Sequence, residues 1–183
     1  MTARTFLFLL GSSRTDGNTE ELARLAAEQL PPETEQRWLN LNELALPDFE
    51  DLRHDGDGRY PTPTGNADTL LDATLGATDL VLASPLYWYA MSTSTKRYLD
   101  HWSGWMRVPG LDFKQRMGGR TLWGVTALAT SDHSVAEPAT GTLRTIASYM
   151  RMEWGGMLLG VGTRPGDVLG DTAAVARAKT FFG

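Results

Sequence analysis

The first predicted unit of the chain reads Thr5-Phe6-Leu7-Phe8-Leu9-Leu10-Gly11-Ser12-Ser13-Arg14-Thr15-Asp16-Gly17-Asn18-Thr19. It combines an apolar run, a polar turn and the beginning of a helix. A short apolar run such as residues 5–10 is typical of a parallel strand that is covered on both faces. Apolar residues recur at helical spacing from Leu22 onwards, and Asn18 with Glu21 suits a helix cap and its partner in the first turn. The stretch therefore predicts a strand–loop–helix unit.

The same alternation of strands and helices continues along the chain. Further strands are predicted at residues 37–41, 79–84, 121–129 and 156–161, and helices at 18–30, 68–75, 93–102, 138–150 and 173–182. The segments 53–65 and 103–119 are predicted as loops. Strands that alternate with helices pair in parallel through right-handed crossovers. We therefore expect an α/β fold, a three-layer, doubly wound domain over residues 1–183.

The composition disfavours several classes of function. The 183 residues carry 17 Lys and Arg against 22 Asp and Glu, a net charge of −5 without a basic stripe, which disfavours nucleic-acid binding. There is no cysteine, and the three histidines lack the spacing of a metal site, so we expect no bound metal. The apolar run near the N-terminus is too short for a signal peptide, and no stretch is long enough to span a membrane. We expect a soluble, cytoplasmic protein with no membrane partner.

In doubly wound folds, ligands lie beyond the carboxyl ends of the strands, so the loops after strands one, three and four are candidate sites. The first loop has five side chains that can bind an anion at a helix N-terminus: Ser12, Ser13, Arg14, Asn18 and Thr19. It lacks the sequence of a Walker loop or of a dinucleotide-binding Gly-x-Gly-x-x-Gly. The loop predicts either a phosphate site, from which Asp16, Glu20 and Glu21 must point away, or a solvated turn with an ordinary cap.

The second loop places three aromatic residues in a row between a buried strand and a helix. It reads Ser84-Pro85-Leu86-Tyr87-Trp88-Tyr89-Ala90-Met91-Ser92. Exposed aromatic rings in a connecting loop are unfavourable unless another surface covers them. The loop therefore predicts core packing or a dimer contact on one interpretation, and a wall for a planar heterocycle on the other.

Both loops, taken together, resemble one known family. Gly-Ser-Ser-Arg-x-x-Gly-Asn-Thr at residues 11–19 and Ser-Pro-Leu-Tyr-Trp-Tyr-x-Met-Ser-x-x-x-Lys-x-x-x-Asp at residues 84–100 are similar to motifs of the NADPH-dependent FMN reductase family of flavodoxin-like proteins. Residues 150–156 and 165–167 resemble that family too, so the likeness covers nearly the whole chain. The resemblance implies a flavodoxin-like, three-layer fold with a five-stranded parallel sheet of order 2-1-3-4-5.

The resemblance also implies that FMN binds non-covalently. Its phosphate would contact the anion-binding side chains of the first loop. Its isoalloxazine ring would rest against four residues of the second loop: Pro85, Leu86, Tyr87 and Trp88. Two further residues, Tyr89 and Met91, would lie near the edge of the ring.

The third loop departs from the family, because polar side chains stand where relatives often carry glycine. These side chains are Thr130, Ser131, Asp132 and His133. On one interpretation Asp132 accepts a hydrogen bond from flavin N3–H while His133 donates towards O2 or N1. On the other, Asp132 caps a helix and His133 is solvated.

The function implied by the resemblance is hydride transfer from NAD(P)H through FMN to a quinone, an azo or nitro compound, or a flavin. The cofactor carries this chemistry, so no side chain is certain to be catalytic, and His133 is the one candidate for stabilising the reduced cofactor. One alternative is a flavodoxin-type single-electron carrier, although such carriers are usually more acidic than −5. Another is a binding module that has lost FMN.

Two further expectations concern assembly and the segment 103–119. The family and the tryptophans, which we expect to be exposed, indicate a homodimer or homotetramer. Trp105, Arg107, Lys114 and Arg116 are expected either to line the substrate side or to belong to a solvated loop with a dimer contact.

Overall fold

A central sheet of parallel strands forms the middle layer, and a short hairpin extends from one of its loops. The computed structural model describes residues 4–183, so residues 1–3 of the predicted domain lie outside the described part. The strands are β1 (Thr5–Leu10), β2 (Glu35–Asn40), β3 (Asp79–Ala83), β4 (Leu86–Tyr87), β5 (Ala90–Met91), β6 (Thr121–Leu128) and β7 (Glu153–Val161). The helices are α1 (Asn18–Ala27), α2 (Asn66–Gly76), α3 (Thr93–Trp105), α4 (Phe113–Met117), α5 (Glu137–Met150) and α6 (Thr172–Ala178).

The five-stranded sheet has the order β2-β1-β3-β6-β7, and every pair in it is parallel. Strands β4 and β5 form the separate antiparallel hairpin. With the hairpin set aside, the order is the predicted 2-1-3-4-5. The flavodoxin-like fold class is therefore confirmed, and β2 lies at an edge, as its half-polar sequence indicates.

Apolar side chains of the sheet alternate between two cores, one on each face. On one face, Phe6, Phe8 and Val81 pack against α1, α6 and the C-terminal Phe182. On the other, Leu7, Leu9 and Leu82 belong to the core formed with the remaining helices. Both faces are covered, which explains why β1 and β3 are continuous apolar runs.

The prediction of a plain loop at residues 103–119 is wrong. Helix α3 continues to Trp105, and α4 lies within the predicted loop. Trp105, Phe113 and Met117 are buried, and the rings of Trp102 and Trp105 contact Phe113 edge-on at 5.5 and 5.4 Å. The expectation of a solvated loop is therefore also wrong for Trp105, because this part of the segment is anchored in the core.

Other details of the elements also differ from those predicted. Strand β7 begins at Glu153, before Gly156, because a register shift opposite Leu122 and Trp123 lets the earlier residues pair as well. Helix α6 ends at Ala178 instead of residue 182, and the rings that follow it turn into the core. Helix α1 is capped by Gly17, with Asn18 as its first residue, so the prediction of Asn18 as the cap is wrong.

None of the helices in residues 4–183 combines the length and the apolar character that crossing a membrane would require.

Candidate functional site

Three loops meet at one edge of the sheet. Strands β1, β3 and β6 are neighbours and parallel, so the loops after them, residues 11–17, 84–92 and 129–133, leave the sheet at the same edge. Ser94 Oγ, at the start of α3, donates a hydrogen bond to Gly11 O at 3.0 Å. A Cβ at Gly11 would lie 2.0 Å from Thr95 Oγ1, so only glycine allows this close approach. The first loop is thus joined to the end of the second.

The first loop presents unused hydrogen-bond donors. Ser12 Oγ accepts from Arg14 N at 3.0 Å, which turns the chain sharply, while the side chains of Ser13 and Arg14 are exposed. Five backbone N–H groups of the loop donate to no acceptor within residues 4–183: those of Ser12, Ser13, Thr15, Asp16 and Gly17. Helix α1 follows directly and has no side-chain cap, so the N–H groups of its first turn are free as well. Such a set of donors fits a phosphate dianion.

Two of the three acidic residues near this loop are engaged elsewhere. Glu20 accepts from Arg24 Nη2 at 2.6 Å, one turn further along α1. Glu21 Oε2 accepts from the backbone N of Gly166 at 3.1 Å. Asp16 is exposed and has a positive φ of 55°. The carboxylates of Glu20 and Glu21 therefore have fixed partners away from the free N–H groups.

The side chains of Asn18 and Thr19 also have partners of their own. Asn18 Nδ2 donates to Arg164 O at 2.8 Å, and Asn18 Oδ1 accepts from Val168 N at 3.2 Å. Thr19 is buried, and its Oγ1 accepts from Ala127 N at 3.2 Å. The two side chains therefore hold neighbouring segments in place. Asn18 and Thr19 contribute only their backbone N–H groups to the donors at the N-terminus of α1.

The turn at residues 162–168 supports α1, a role that its sequence does not predict. Asp167 Oδ2 accepts from the backbone N of Thr163 at 3.1 Å and of Arg164 at 2.7 Å, as well as from the Thr163 hydroxyl. These hydrogen bonds favour the charged carboxylate, so they lower the pKa of Asp167 below its usual range. In the sequence, only the Pro-Gly-Asp motif at residues 165–167 indicates a turn here.

The second loop is a hairpin with a strained tip. Trp88 and Tyr89, the two central residues, have φ values of 51° and 63°, as a type I′ turn requires, although bulky residues rarely adopt them. Ser84 Oγ holds its base by accepting from Ser92 N at 2.9 Å. Tyr87, Trp88 and Tyr89 are 53%, 94% and 57% exposed. Core packing of these rings is therefore excluded, and the dimer and heterocycle interpretations stay open.

A cleft of about 290 Å³ separates the hairpin from the third loop. It brings together Leu86, Trp88, Tyr89 and Thr130 of the predicted residues, with Leu128, Ala129 and Val135. Pro85 and Tyr87 do not line it, although they belong to the same hairpin, and Met91 lines a separate cavity beside Lys96 and Arg97. Ser131, Asp132 and His133 do not line it either.

Asp132 caps the short 3₁₀ turn at His133–Ala136. Its Oδ1 accepts from Ser134 N at 3.0 Å and from the Ser134 hydroxyl at 2.7 Å. These bonds lower the pKa of Asp132, so it is a carboxylate at neutral pH. The interpretation of Asp132 as a cap is confirmed, while His133 is half-buried beside it.

The three loops at the carboxyl ends of the strands therefore provide hydrogen-bond donors for a dianion at the first loop. At the hairpin they provide an aromatic surface beside an open cleft. That combination suits a mononucleotide with a planar ring system. Within residues 4–183, no group of three or more His, Asp or Glu side chains lies together as a metal site would require.

Comparison with known proteins identifies the family. The model of the flavodoxin-like fold family matches residues 4–180. The chain belongs to this family. The family resemblance inferred from the two loop motifs is thus confirmed.

Proteins similar to this chain include two with redox names. A Bacillus subtilis strain 168 protein, provisionally named an NAD(P)H-dependent FMN-containing oxidoreductase (YwqN), is 31% identical over 173 residues, which cover 94% of this chain and 93% of that protein. The solved structure of a Trp repressor binding protein from Bacillus subtilis is 25% identical, covers 97% of both chains and has a TM-score of 0.75. An FMN-dependent NADH-azoreductase from Bacillus anthracis strain Ames Ancestor, solved with FMN, has a TM-score of 0.64 at 14% identity, with 96% and 95% of the chains covered, and shares the fold.

Proposed function

We propose that this protein is an FMN-dependent NAD(P)H oxidoreductase that reduces a small-molecule acceptor: a quinone, an azo or nitro compound, or a flavin. The observation that carries the proposal is the meeting of the donor-rich first loop and the aromatic hairpin at one edge of the sheet. The relative named as an FMN-containing oxidoreductase supports it, since 94% of this chain aligns with that protein.

The first loop would hold the phosphate. Its free backbone N–H groups, with those of Asn18 and Thr19 in the first turn of α1, would donate to the phosphate oxygens. The hydroxyls of Ser12 and Ser13 would add donors, and the exposed Arg14 would supply the positive charge. Asn18 and Thr19 would bind the phosphate through their backbone N–H groups only, because their side chains have other partners.

The hairpin would hold the ring. Pro85, Leu86, Tyr87 and Trp88 would form one wall, with Tyr89 and Met91 near the edge and Thr130 across the cleft. Aromatic faces bind a planar heterocycle by stacking and remove its apolar surface from water. When bound, FMN supplies the hydride and electron transfer, and the protein contributes binding, orientation and electrostatics.

The third loop is the candidate for the polar edge of the ring. His133 follows the capping Asp132 and is half-buried, so its ring N–H would donate towards O2 or N1 and stabilise negative charge there. Ser131 and Asp132 would contribute backbone groups only, since the Asp132 side chain is engaged with Ser134.

The proposal extends to the molecule as a whole. Residues 1–183 would act as one FMN-binding domain, and consumption of NAD(P)H would place it in the cytoplasm. The exposed Tyr87, Trp88 and Tyr89 favour a homodimer or homotetramer in which part of the hairpin is covered. Trp88 is the one exposed tryptophan of residues 4–183, because Trp102, Trp105 and Trp123 are buried and Trp38 and Trp154 are half-buried.

The test has two stages on the purified protein. First, FMN is titrated while the visible absorbance and the flavin fluorescence are followed, and we expect a shifted spectrum and quenched fluorescence. Second, the FMN-loaded protein is given NADPH or NADH together with a quinone, and we expect steady oxidation of the nicotinamide. FMN binding without nicotinamide oxidation would indicate the electron-carrier alternative, and no FMN binding would indicate a module that has lost the cofactor.

A further inference from the structure

The connection between β2 and α2 is long, and yet it is held by specific contacts. Residues 41–65 contain no helix or strand, and connections of this length in compact proteins are usually functional or disordered. Here Tyr60 Oη accepts from Leu52 N at 2.7 Å and donates to Glu50 O at 3.0 Å. The rings of Phe49 and Tyr60 stack with their centroids 6.0 Å apart. The connection thus folds on itself around one tyrosine.

The same connection is attached to helix α3 at three points. Arg97 Nη2 donates to Asp48 Oδ1 at 2.7 Å, and His101 Nε2 contacts Pro47 O at 3.0 Å. The ring of Tyr60 lies against the helix backbone at Gly104, where a Cβ would be only 2.8 Å from Tyr60 Cδ1. A side chain at position 104 would displace the tyrosine, so glycine keeps the connection close to the helix.

A cavity of about 550 Å³ lies between this connection and α3. Ligand sites in proteins usually enclose about 300–1,000 Å³ and are mostly apolar with a few polar groups. The rings of Phe49, Tyr60 and Trp105 and three prolines contribute to the lining, and Thr62, Thr64 and Asn66 provide polar atoms. The cavity shares no lining residue with the cleft beside the hairpin. It is therefore separate from that cleft, although it shares Asp48 and Phe49 with the smaller cavity that Met91 lines.

Among the described residues, the cavity is lined by acidic side chains but by no lysine or arginine, although Arg97 lies beside it. The acidic residues are Asp48 and Glu50. Arg97 neutralises Asp48, whereas the Glu50 carboxylate has no ion pair within residues 4–183. An anion would be repelled here, and a cation would gain both the carboxylate and the faces of the aromatic rings.

We infer that this cavity is a second small-molecule site, which binds a cationic aromatic amine of about two fused rings. The aromatic body would pack among Phe49, Tyr60 and Trp105, and the ammonium group would lie near Glu50. An engineered apolar cavity of about 150 Å³ accommodates one benzene ring, so this volume is ample for two rings and a side chain. The inference does not depend on FMN binding.

The test compares three naphthalene probes that differ only in charge. They are 2-(aminomethyl)naphthalene as the cation, 2-naphthalenemethanol as the neutral molecule and 2-naphthoate as the anion. Each is titrated by calorimetry into the full chain, with and without FMN. We expect the amine to bind best and the carboxylate worst, with the same order in both conditions. Undetectable binding of the amine at millimolar concentration, or equal binding of the carboxylate, would overturn the inference.

Two variants locate the site, and a third serves as the control. Glu50→Gln removes the free charge, and we expect about threefold weaker binding of the amine with the alcohol unchanged, as for an exposed ion pair. Thr64→Trp places a large side chain on the exposed rim of the cavity and should abolish binding of all three probes. Glu43 is an exposed acidic residue of the same connection, and it does not line the cavity. The Glu43→Gln variant should therefore bind the three probes with the same affinities as the unmodified protein. Unchanged affinity in Thr64→Trp would place the probes elsewhere and refute the assignment.

Discussion

Arg14 supplies the positive charge of the proposed phosphate site, and its effect can be separated from that of the neighbouring N–H groups. We expect Arg14→Gln to weaken FMN binding about tenfold to a hundredfold, because a hydrogen bond to a charged group contributes about 1.5–3 kcal/mol. Calorimetric titration of FMN into both proteins measures the difference.

Riboflavin provides the matched control for Arg14, because it has the same ring without the phosphate. Its affinity should be the same in Arg14→Gln and in the unmodified protein. Arg144→Gln, which changes an exposed arginine on α5, should leave the affinity for FMN unaltered. A loss of riboflavin affinity equal to the loss of FMN affinity would mean that Arg14 shapes the site without binding the phosphate.

Residue types in the first loop could be read from the sequence, but their partners could not. The glycines, hydroxyls and arginine between a strand and a helix indicate an anion site whatever surrounds them. The partners of Asn18 and Thr19 lie more than a hundred positions away, at Arg164, Val168 and Ala127. The spacing of residues along the chain contains no information about such distant contacts. The sequence therefore predicts that these two side chains bind an anion, whereas in the structure they bond to other segments of the protein.

At the scale of elements, the hairpin of β4 and β5 has an unfavourable turn sequence. Asparagine and glycine adopt positive φ readily, whereas Trp88 and Tyr89 do so at a cost. The double substitution Trp88→Asn with Tyr89→Gly should raise the free energy of unfolding by about 1–2 kcal/mol. It should also weaken FMN binding, because the aromatic wall is shortened. Urea unfolding without FMN and titration with FMN measure the two effects.

The double substitution Trp88→Ala with Tyr89→Ala separates strain from the loss of the rings. It removes the same aromatic surface but leaves residues with a Cβ at both positive-φ positions. We expect it to weaken FMN binding similarly without increasing stability. If the Asn-Gly variant is no more stable than the Ala-Ala variant, the turn is not strained in the folded protein.

Elements were predictable where they are long and periodic. Helix α5 shows apolar residues at helical spacing after a proline in its first turn, and the structure has it at Glu137–Met150. Helix α4 has five residues, too few to show a period, and its apolar residues are recognisable only from their burial against Trp102 and Trp105. The sequence predicts a loop where the hairpin lies, because each strand of the hairpin has only two residues.

For the molecule as a whole, the sheet order followed from alternation, right-handed crossovers and the family resemblance. The cavity beside α3 could not be predicted, because it forms between residues 45–67 and 101–108, which carry no motif. Its walls depend on how Tyr60 meets Gly104, and that contact exists only in the folded chain.

Asp79 joins the two ends of the described chain through the centre of the sheet. Asp79 is 2% exposed, and its carboxylate accepts from Arg4 Nη2 at 2.6 Å, Trp123 Nε1 at 2.9 Å and Thr78 Oγ1 at 2.8 Å. Arg4 also donates to Phe182 O at 2.7 Å. Asp79→Ala leaves these donors unpaired, so we expect the free energy of unfolding in urea to fall by about 3 kcal/mol. Asp79→Asn keeps an acceptor for Trp123 and should lose less, whereas a loss below about 1 kcal/mol in Asp79→Ala would show that the network contributes little net stability.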